Sequence, residues 1–554
     1  MRGMIVFSVA LAFASGAGAQ VFRHGRFEQQ LRTAAETPDP LRAEVVVEFT
    51  APGGARSEVP AFWDGGREWK VRFSPGRAGA WKWRVKAAGF EPASGSFRVA
   101  EYKGANELYR RGAPRVSADG RQFAHADGKP WFWLSCTGWN SALLSTREEW
   151  NRYLADRAAK RFTAIQFVMT QWRAGRKDEL GQVAFSTGGG LKVNPAFYRR
   201  MDEKFDALNE RGLVAAPVLL WALTSKDQES PGVALSTEDA IRLARYMVAR
   251  YGAHHVLWIL GGDGEYRGAN AARWKQIGRA VFPAGRPHSP ATLHPRGMND
   301  PWPEYKDEPW AGFFMYQTGH GSDARKWRWN ATEGPASGWK LAPPHPVIDG
   351  EPNYEGHLNY QSQKVIDDYA VRRAVYYSLL AAPPAGVTYG AHGIWFWSRK
   401  AEIPLDHPRT GVALPWHECL DYPGARHMKV MRDIFDRMEW WKLRPDRTLL
   451  ADDTADAEFR NYIQPARSQD GAFALIYLPA NPSGKLDLSN FARGVTAAWI
   501  DPRTGKETPA GRLKPAPSVA FTTPGEGDWL LWLRTPASGG FRFEDREIRS
   551  LPIP

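Results

Sequence analysis

Two stretches, HVLWILGGD at residues 255–263 and HPVIDGE at residues 345–351, each pass from an apolar run to a carboxylate. Apolar runs of this kind are typical of strands that are buried on both faces of a parallel sheet. The first run ends at Asp263 and the second ends at Glu351. Because the C-terminal tips of the strands surround the active site of a parallel barrel, both acids are candidate catalytic residues.

Six further apolar runs have the same character and bring the number of candidate strands to eight. Helical patterns fall between them, with N-caps predicted at Ser145 (in a capping box with Glu148), Asn194 and Ser236, and a last amphipathic run covers 365–382. Alternating strands and helices predict an α/β fold, a (β/α)8 TIM barrel. A doubly wound open sheet is the competing fold, but no G-x-G-x-x-G motif follows the first strand. The six runs are WFWLSC (131–136), TAIQFVM (163–169), VAAPVLLW (214–221), ATLHP (291–295), GFFMYQ (312–317) and GVTYGAHGIWFW (386–397).

On either side of the barrel the pattern changes to short strands that alternate apolar and polar residues. AWKWRVKA (80–87) and FALIYLP (473–479) are examples. Such strands, separated by turns, predict a β-sandwich at each end of the chain. We therefore expect five segments: a signal peptide at 1–19, an N-terminal Ig-like sandwich at 20–101, the barrel at 102–444, a C-terminal sandwich at 445–535 and a tail at 536–554.

The first residues predict export of the protein. Arg2, an apolar run and Ala17-Gly18-Ala19 before Gln20 are typical of a secretory signal peptide. No other apolar run approaches the ~20 residues that a membrane span needs. We expect a secreted or periplasmic protein with no membrane span after removal of the signal.

Composition narrows the possible partners. The chain has 554 residues and a net charge of +13, but its Lys and Arg residues form no long run, which argues against nucleic acid. An acidic polysaccharide partner and an ordinary solvated basic surface both remain compatible with this charge. Cys136 and Cys419 are the two cysteines. Export permits a disulfide between them, but no zinc pattern is present, so we expect neither a metal nor a cofactor.

The order of the strands places Asp263 at the tip of the fourth and Glu351 at the tip of the seventh. These two tips face each other across the mouth of a barrel, and a pair of carboxylates flanking the scissile bond is the requirement for glycoside hydrolysis. We expect Asp263 to be the general acid/base and Glu351 the nucleophile, although the roles could be exchanged. A helix N-cap for Asp263 and a salt bridge for Glu351 are the structural alternatives.

Polar and aromatic residues at or near the predicted strand ends form the expected substrate-binding rim. Aromatic faces stack on sugar rings, and polar tips bind hydroxyl groups. A role in packing is the alternative for any one of them. The candidates are Trp139, Asn140, Gln166, Gln171, Trp172, Trp221, His294, Tyr316, His320, Tyr354, Tyr389, His392, Trp395 and Trp397.

Five motifs taken in order, KPWFWLSCTGWN, RFTAIQFVMTQW, VLWILGGD, GEPNYEG and AGVTYGAHGIWFW, resemble the apiosidase-like family of glycoside hydrolases. The resemblance covers about residues 115–440 and implies that the catalytic pair is Asp263 and Glu351. The N-terminal unit resembles the Ig-like domain of unknown function that precedes many secreted glycosidase barrels, and the C-terminal unit resembles the family named as a collagen-binding domain. One departure is Ser135-Cys136-Thr137-Gly138-Trp139, where the family commonly has Gly-Asp-Thr-Ala-Trp. The missing acid leaves the identity of the sugar open.

Two functional hypotheses follow from these observations. The first is an exported glycoside hydrolase that cleaves a plant or microbial polysaccharide, retaining if the two carboxyls lie about 5–5.5 Å apart and inverting at about 6.5–9.5 Å. The alternative is a non-catalytic carbohydrate- or matrix-binding protein with a degenerate barrel.

Overall fold

A parallel sheet of eight strands forms the centre of the structure, a computed structural model. In sheet order the strands run β5-β4-β3-β2-β1-β8-β7-β6. Between β5 and β6 the sheet is closed by a parallel bridge from Ala291 to Ala311. The predicted (β/α)8 barrel is therefore confirmed. The structure describes residues 21–223, 227–452, 457–480 and 483–536. The strands are β1 Trp133–Thr137, β2 Ala164–Val168, β3 Val214–Trp221, β4 Trp258–Gly264, β5 Ala291–Pro295, β6 Phe314–Tyr316, β7 Val347–Asp349 and β8 Pro384–Ala391.

Helices cover the outside of the barrel. Six are long, and their buried faces pack against strands that are themselves buried on both sides. The long helices are α1 Arg147–Ala159, α2 Pro195–Glu210, α3 Thr237–Tyr251, α4 Ala271–Val281, α5 Asp368–Ala381 and α6 Pro423–Phe435. Short α-helical and π-helical segments are Glu107–Arg111, Ser141–Leu144, Pro231–Ala234, Trp302–Tyr305, Ala324–Arg328, Trp329–Glu333, Gly334–Gly338 and His392–Phe396. The 3-10 turns are Gly268–Asn270, Pro408–Thr410, Cys419–Asp421, Trp440–Lys442 and Arg447–Leu449.

Two sequence-based boundaries around the helices were wrong by a few residues. The N-cap of α1 is Thr146, which forms a capping box with Glu149, whereas Ser145 and Glu148 were expected. Ser145 is unavailable as the cap because its hydroxyl accepts a hydrogen bond from Lys204 Nζ at 2.8 Å. The run 365–382 becomes helical only at α5, after the N-cap Asp367.

The last apolar run, 386–397, was also wrong as a single strand. Strand β8 ends at Ala391, and the chain continues as a short helix through Phe396. Periodicity alone does not distinguish a buried strand from a buried helical turn, which is why the error arose. The consequence is that the aromatic residues after Ala391 lie on a helix and not on a strand tip.

Sheets that are almost entirely antiparallel flank the barrel at both ends of the chain. The N-terminal region packs two sheets around its own apolar core, and the C-terminal region has its own apolar core with a six-stranded sheet and a two-stranded antiparallel sheet. The boundaries at residues 101/102 and 444/445 stay predictions. The N-terminal strands are Val21–Phe22, Phe27–Thr33, Val46–Thr50, Arg56–Pro60, Phe62–Gly65, Glu68–Phe73, Gly79–Val85, Phe90–Glu91 and Ser94–Ala100. The C-terminal strands are Leu443–Pro445, Gln464–Ser468, Phe473–Leu478, Ser483–Leu486, Val495–Ile500, Glu507–Leu513, Val519–Thr522 and Trp529–Arg534. Short strands outside both are Arg115–Val116, Phe123–Ala124, Pro130–Trp131, Phe185–Ser186, Lys192–Val193 and Tyr354–Glu355.

Several expectations concern cysteines, membranes and the two chain ends. Cys136 and Cys419 are both buried and free, so the disulfide that export would permit is not formed. Among the residues that the structure describes, no helix is long and apolar enough to cross a membrane. The predicted signal peptide at 1–19, with Gln20, and the tail from 537 onward lie outside the described residues.

A buried ionic network joins the N-terminal sandwich to the barrel. Asp202 on α2 accepts two hydrogen bonds from Arg72 of the sandwich, at 2.9 and 2.7 Å, and two from Arg250 on α3, at 2.8 and 2.6 Å. Arg250 also donates to Asp64 of the sandwich at 2.9 Å. Nearby, a cavity of about 1190 Å³ separates the sandwich from the starts of β4, β5 and β6. The sandwich therefore lies toward the end of the barrel opposite to the strand tips.

We predict that Asp202→Ala lowers the free energy of unfolding by about 3–5 kcal/mol, because it leaves two buried guanidinium groups without their carboxylate. Urea denaturation followed by tryptophan fluorescence measures the change. Asp433→Ala is the matched control, since Asp433 makes two ion pairs at the surface and should contribute about 1 kcal/mol or less. Equal losses of unfolding free energy in the two variants would show that burial of the network adds nothing to stability.

Candidate active site

Asp263 is presented by a distortion of β4. The pairing of β4 with β5 shifts register between Gly262 and Gly264, and Asp263 itself has a positive φ of 48°. A β-bulge of this kind redirects a side chain relative to the strand. The glycines are required by close approach, because a Cβ on Gly262 would lie 2.4 Å from the Trp221 ring and one on Gly264 would lie 2.6 Å from Tyr266. The sequence GGDG thus aims the carboxylate of Asp263 toward the mouth of the barrel.

Glu351 follows β7 by two residues and is only 6% exposed. Its backbone is fixed on both sides: its N–H donates to Asp349 Oδ1 at 3.3 Å, and its carbonyl accepts from Gly319 N–H at 3.0 Å. Its carboxylate faces two imidazoles, with Oε1 at 3.0 Å from His320 Nε2 and Oε2 at 3.3 Å from His294 Nε2. Both oxygens of Glu351 therefore lie against ring nitrogens.

His294, at the end of β5, connects the two acids. Its Nδ1 accepts a hydrogen bond from the backbone N–H of Asp263 at 3.3 Å. A ring nitrogen that accepts carries no proton, so the proton of His294 is on Nε2, the atom that faces Glu351. The 3.3 Å contact of Nε2 with Glu351 does not have the geometry of a regular hydrogen bond, so it is mainly electrostatic. One imidazole thus holds the backbone of Asp263 and the carboxylate of Glu351 on its opposite nitrogens.

The environment shifts the pKa values of the two acids in opposite directions. Burial, together with the charge of Glu351, raises the pKa of Asp263 well above its ordinary value, although Arg173 and Arg296 oppose the shift. Burial also acts to raise the pKa of Glu351, but the contacts with His294 and His320 outweigh it and lower that pKa to about 2. The environment therefore favours the protonated form of Asp263 and the ionised form of Glu351.

Five of the predicted rim residues pack around this pair. Trp139 lies with its ring centroid 5.2 Å from those of Trp221 and His294, and its Nε1 donates to the Tyr354 hydroxyl at 2.8 Å. The Tyr354 ring lies 4.2 Å from His320. The rim next to the carboxylates is accordingly aromatic, with imidazole and phenol groups between the rings.

Four more of the predicted residues extend this cluster. Trp172 packs 4.5 Å from Trp221 and donates from Nε1 to Asn140 Oδ1 at 2.6 Å. The Trp395 ring lies 6.4 Å from Trp172, and its Nε1 donates to His392 Nδ1 at 2.9 Å. Because the polar atoms of this group bind one another, its main role in the structure is to hold the inner rings in place.

Three of the predicted rim residues have partners outside both the acid pair and the aromatic cluster. Tyr316 hydrogen-bonds Asp300 at 3.4 Å, Tyr389 donates to Glu355 at 2.7 Å, and Trp397 stacks on Trp416 at 4.5 Å. Side chains alternate in direction along a strand, so a position near a strand end does not by itself decide which way a side chain points.

The two predicted glutamines have both ends of their amides bound by protein. Gln166 Nε2 donates to the Gly350 carbonyl at 3.0 Å, and its Oε1 accepts from the Thr388 hydroxyl at 2.7 Å. Gln171 bonds the backbone of Ala184 and Phe185 in the same way. Gln166 thereby supports the residue before Glu351 from below, and Gln171 fixes the loop after β2.

Two residues that sequence reasoning missed also belong to the site. Asp349 accepts from the N–H groups of Thr318 and Glu351, each at 3.3 Å, and from the hydroxyls of Thr318 and Ser378, each at 2.7 Å. The sequence could have indicated Asp349, because it lies two residues before Glu351 in the same stretch, HPVIDGE. Tyr360 lies 5.9 Å from His320 on the loop after β7, where no periodicity marks a residue. Within the described residues, no group of three or more His, Cys, Asp or Glu side chains is arranged to hold a metal ion.

Comparisons with protein families agree with this architecture. Residues 117–442 match the profile described as "Apiosidase-like, catalytic domain". Residues 20–88 match a domain of unknown function, DUF5060. Residues 444–534 match the profile described as "Putative collagen-binding domain of a collagenase". No curated protein matches the chain.

Solved structures show the same fold at low sequence identity. A structure described as a glycoside hydrolase is 22% identical, with a TM-score of 0.66 over 76% of this chain and 96% of its own. A glycoside hydrolase family 5 structure from Bacteroides vulgatus ATCC 8482 is 22% identical, with a TM-score of 0.67 over 76% of this chain and 93% of its own. A further structure from the same organism is 18% identical, with a TM-score of 0.67 over 93% of this chain and 99% of its own.

We predict that His320→Phe raises the pKa of Glu351, because the substitution removes a hydrogen-bond donor from the carboxylate while its burial persists. Carbon-13 NMR of protein labelled at the glutamate carboxyl carbon follows the titration. His357→Phe is the matched control: the His357 ring stacks 4.4 Å from His320 but is not among the groups that bind Glu351. An unchanged Glu351 titration in His320→Phe would show that the imidazole does not hold the carboxylate ionised.

Proposed function

The chain belongs to the apiosidase-like family and is a glycoside hydrolase, and from that premise we propose that it is exported and cleaves O-glycosidic bonds of a plant or microbial polysaccharide with retention of configuration. In this proposal Asp263 is the general acid/base and Glu351 is the nucleophile. The observation that carries it is the shared contact of both acids with His294, together with the opposite shifts of their pKa values.

The first step requires a protonated acid beside the leaving oxygen. Asp263 meets this requirement because burial and the charge of Glu351 keep its proton bound. It donates the proton to the glycosidic oxygen as the bond to the anomeric carbon breaks, and Glu351 attacks that carbon from the opposite side. As the negative charge of Glu351 is consumed in the covalent bond, the pKa of Asp263 falls, which favours proton release at that moment.

The second step reverses these roles. Asp263, now ionised, takes a proton from a water molecule, and the hydroxyl attacks the anomeric carbon while Glu351 departs as a carboxylate. A carboxylate whose pKa is about 2 is a good leaving group, and contacts with His294 and His320 stabilise the charge as it returns. Retention is supported by this suitability of Glu351 for both attack and departure.

The aromatic cluster supplies a surface for the sugar that is cleaved. Trp139, Trp221 and Tyr354 surround the acids with rings whose faces suit the C–H faces of a sugar. Proposed export rests on the signal-peptide pattern before Gln20, and a secreted or periplasmic location is consistent with a polymeric substrate that does not enter the cell.

The proposed function is tested by incubating the purified protein with pectic and other plant or bacterial polysaccharides and detecting released monosaccharide. Proton NMR of the first product then identifies its anomer. Release of a sugar in the configuration of the substrate supports retention, and release of the opposite anomer excludes it. Binding of a polysaccharide with no release of sugar would favour the alternative, a non-catalytic binding protein with a degenerate barrel.

We predict that Asp263→Asn and Glu351→Gln each lower turnover at least about a hundredfold, because each removes a proton-transfer or nucleophilic group while leaving the shape of the site intact. Steady-state kinetics and ligand affinity are measured together. Glu265→Gln and Glu355→Gln are the matched controls, since these carboxylates bind Arg296 and Tyr389 respectively. Turnover that survives in either acid variant would contradict the assigned roles.

We also predict that Arg173 affects the pH dependence of activity, because its positive charge acts to lower the pKa of Asp263, against the effect of burial. In Arg173→Gln that pKa rises further, so the alkaline limb of the kcat/KM profile should move to higher pH by a few tenths of a unit, roughly the effect of one partly screened charge. Arg176→Gln is the control, because Arg176 pairs with Asp406 and Glu229. A shift to lower pH in Arg173→Gln would mean that the alkaline limb does not report Asp263.

A further inference from the structure

Within the described residues, the large hydrophobic side chains that are exposed all lie at one end of the barrel. Throughout the described part of the chain, the large hydrophobic residues that remain exposed number seven, and their exposed fractions run from 39% to 65%. All seven lie on loops that follow β2, β7 or β8, at the mouth that contains the two acids. They are Leu180, Tyr360, Val365, Ile403, Leu405, Val412 and Leu414. Exposed apolar groups concentrated in this way mark a binding surface.

Five of these residues, on the neighbouring loops after β7 and β8, are called the lip here: Tyr360, Ile403, Leu405, Val412 and Leu414. The loop after β8 folds back on itself, with Glu402 and Ala413 exchanging backbone hydrogen bonds at 3.0 and 2.8 Å. This pairing places Ile403 beside Val412 on the face opposite to Ala413. Ala413 is fully buried while Val412 and Leu414 are exposed, so the apolar face of the loop points to solvent.

The lip is joined to the catalytic end of the barrel by direct contacts. The Leu358 N–H donates to the Thr410 carbonyl at 3.0 Å, which ties the loop after β7 to the loop after β8. Tyr360, two residues further, has its ring 5.9 Å from His320, the residue that contacts Glu351. The guanidinium of Arg409 lies 5.7 Å from the Tyr360 ring centroid. Tyr360 is therefore the member of the lip that approaches the site, and part of its ring is still exposed.

A second set of contacts anchors the same loop over the aromatic cluster. The His407 ring lies 5.1 Å from Trp395 and 6.1 Å from Trp172. His392 Nε2 contacts the Gly411 carbonyl at 3.2 Å. The four aliphatic side chains of the lip are thus held on a loop that is fixed at three points, which limits the entropy lost when a ligand is bound there.

The chemistry of the lip differs from that of a sugar subsite. Sugars are bound by aromatic faces and by hydrogen-bonding groups, whereas branched aliphatic side chains offer no partner to hydroxyl groups. Isoleucine, leucine and valine instead gain from removing apolar area from water. The four aliphatic side chains of the lip, with the partly exposed Tyr360 ring on the side of the acids, suit an uncharged apolar group rather than another sugar.

We propose that the lip binds the aromatic aglycone of aryl glycosides, a second class of substrate in addition to the polysaccharide. This inference rests on the proposed hydrolytic function for its chemistry and on the lip alone for its binding. In the reaction the Asp263 proton passes to the phenolic oxygen, the bond from that oxygen to the anomeric carbon breaks as Glu351 bonds to that carbon, and the phenol leaves. Water then displaces Glu351 from the anomeric carbon, which leaves a hydroxyl on the sugar and returns a proton to Asp263.

The binding step is tested with a free aryl probe, so that it does not depend on turnover. Isothermal titration calorimetry with 4-methylumbelliferone is carried out on the full chain and on the double variant Ile403→Ser with Val412→Thr. Both residues are more than half exposed, so the fold should persist. We expect affinity to fall about tenfold in the double variant, as the probe loses its aliphatic contacts. Leu180→Ser, an exposed residue outside the lip, is the matched control and should bind as the wild type does.

Hydrolysis supplies the second arm of the test. The 4-nitrophenyl and methyl glycosides of the sugar released in the polysaccharide assay are compared, and the double variant should raise KM for the aryl glycoside while kcat and the methyl glycoside change little. Equal affinity of wild type and double variant for the probe would overturn the inference, as would a wild-type dimer in light scattering that the double variant dissociates. Polysaccharide cleavage without lip-dependent binding overturns only this inference, whereas lip-dependent binding without any hydrolysis overturns only the proposed function.

Discussion

The arrangement of the site depends on one imidazole that is held between two acids. His294 accepts from the backbone of Asp263 on one nitrogen and presents its proton to the carboxylate of Glu351 on the other. A ring of fixed size therefore sets the separation of the β4 tip from the segment after β7. It also couples the geometry to the electrostatics, because the same contact that positions Glu351 keeps it ionised, and an ionised Glu351 keeps Asp263 protonated.

This coupling depends on an irregularity of strand β4 near the mouth of the barrel. The bulge in β4 turns the Asp263 N–H toward β5, where His294 lies. Between β5 and β6 the pairing is limited to the bridge from Ala291 to Ala311, and there the Thr292 hydroxyl donates to the Phe313 carbonyl at 2.7 Å while Gly312 N–H donates to the Ala291 carbonyl at 2.8 Å. These bonds fix β5 against the following strands, so they also fix His294 relative to Glu351. Helix packing and the buried ionic network at the far end leave the mouth free to carry the loops that bind ligand.

The sequence predicted the barrel because each central strand is buried on both faces and reads as a continuous apolar run. It could not predict the α1 cap, since Ser145 and Thr146 are each followed three residues later by a glutamate, and only the tertiary contact with Lys204 selects between them. Nor could apolar character show that β8 ends at Ala391.

The sequence predicted only part of the candidate site, because apolar runs locate the ends of strands but not the direction of each side chain. Strand ends identify residues near the mouth, but side-chain direction depends on register, and the Tyr389 hydroxyl binds Glu355 rather than either of the two acids. The role of His294 depends on the bulge at Asp263, and the apolar run that predicted β4 did not reveal that bulge. The domain boundaries and the catalytic roles stay predictions.

The most direct test of this account is to locate the protons on the two acids by neutron diffraction from deuterium-exchanged crystals at about pH 6, between the pKa values expected for a working acid and nucleophile. The account predicts deuterium on the carboxyl group of Asp263, deuterium on Nε2 of His294 and none on Glu351. Deuterium on Glu351, or an Asp263 carboxylate that carries none, would contradict it.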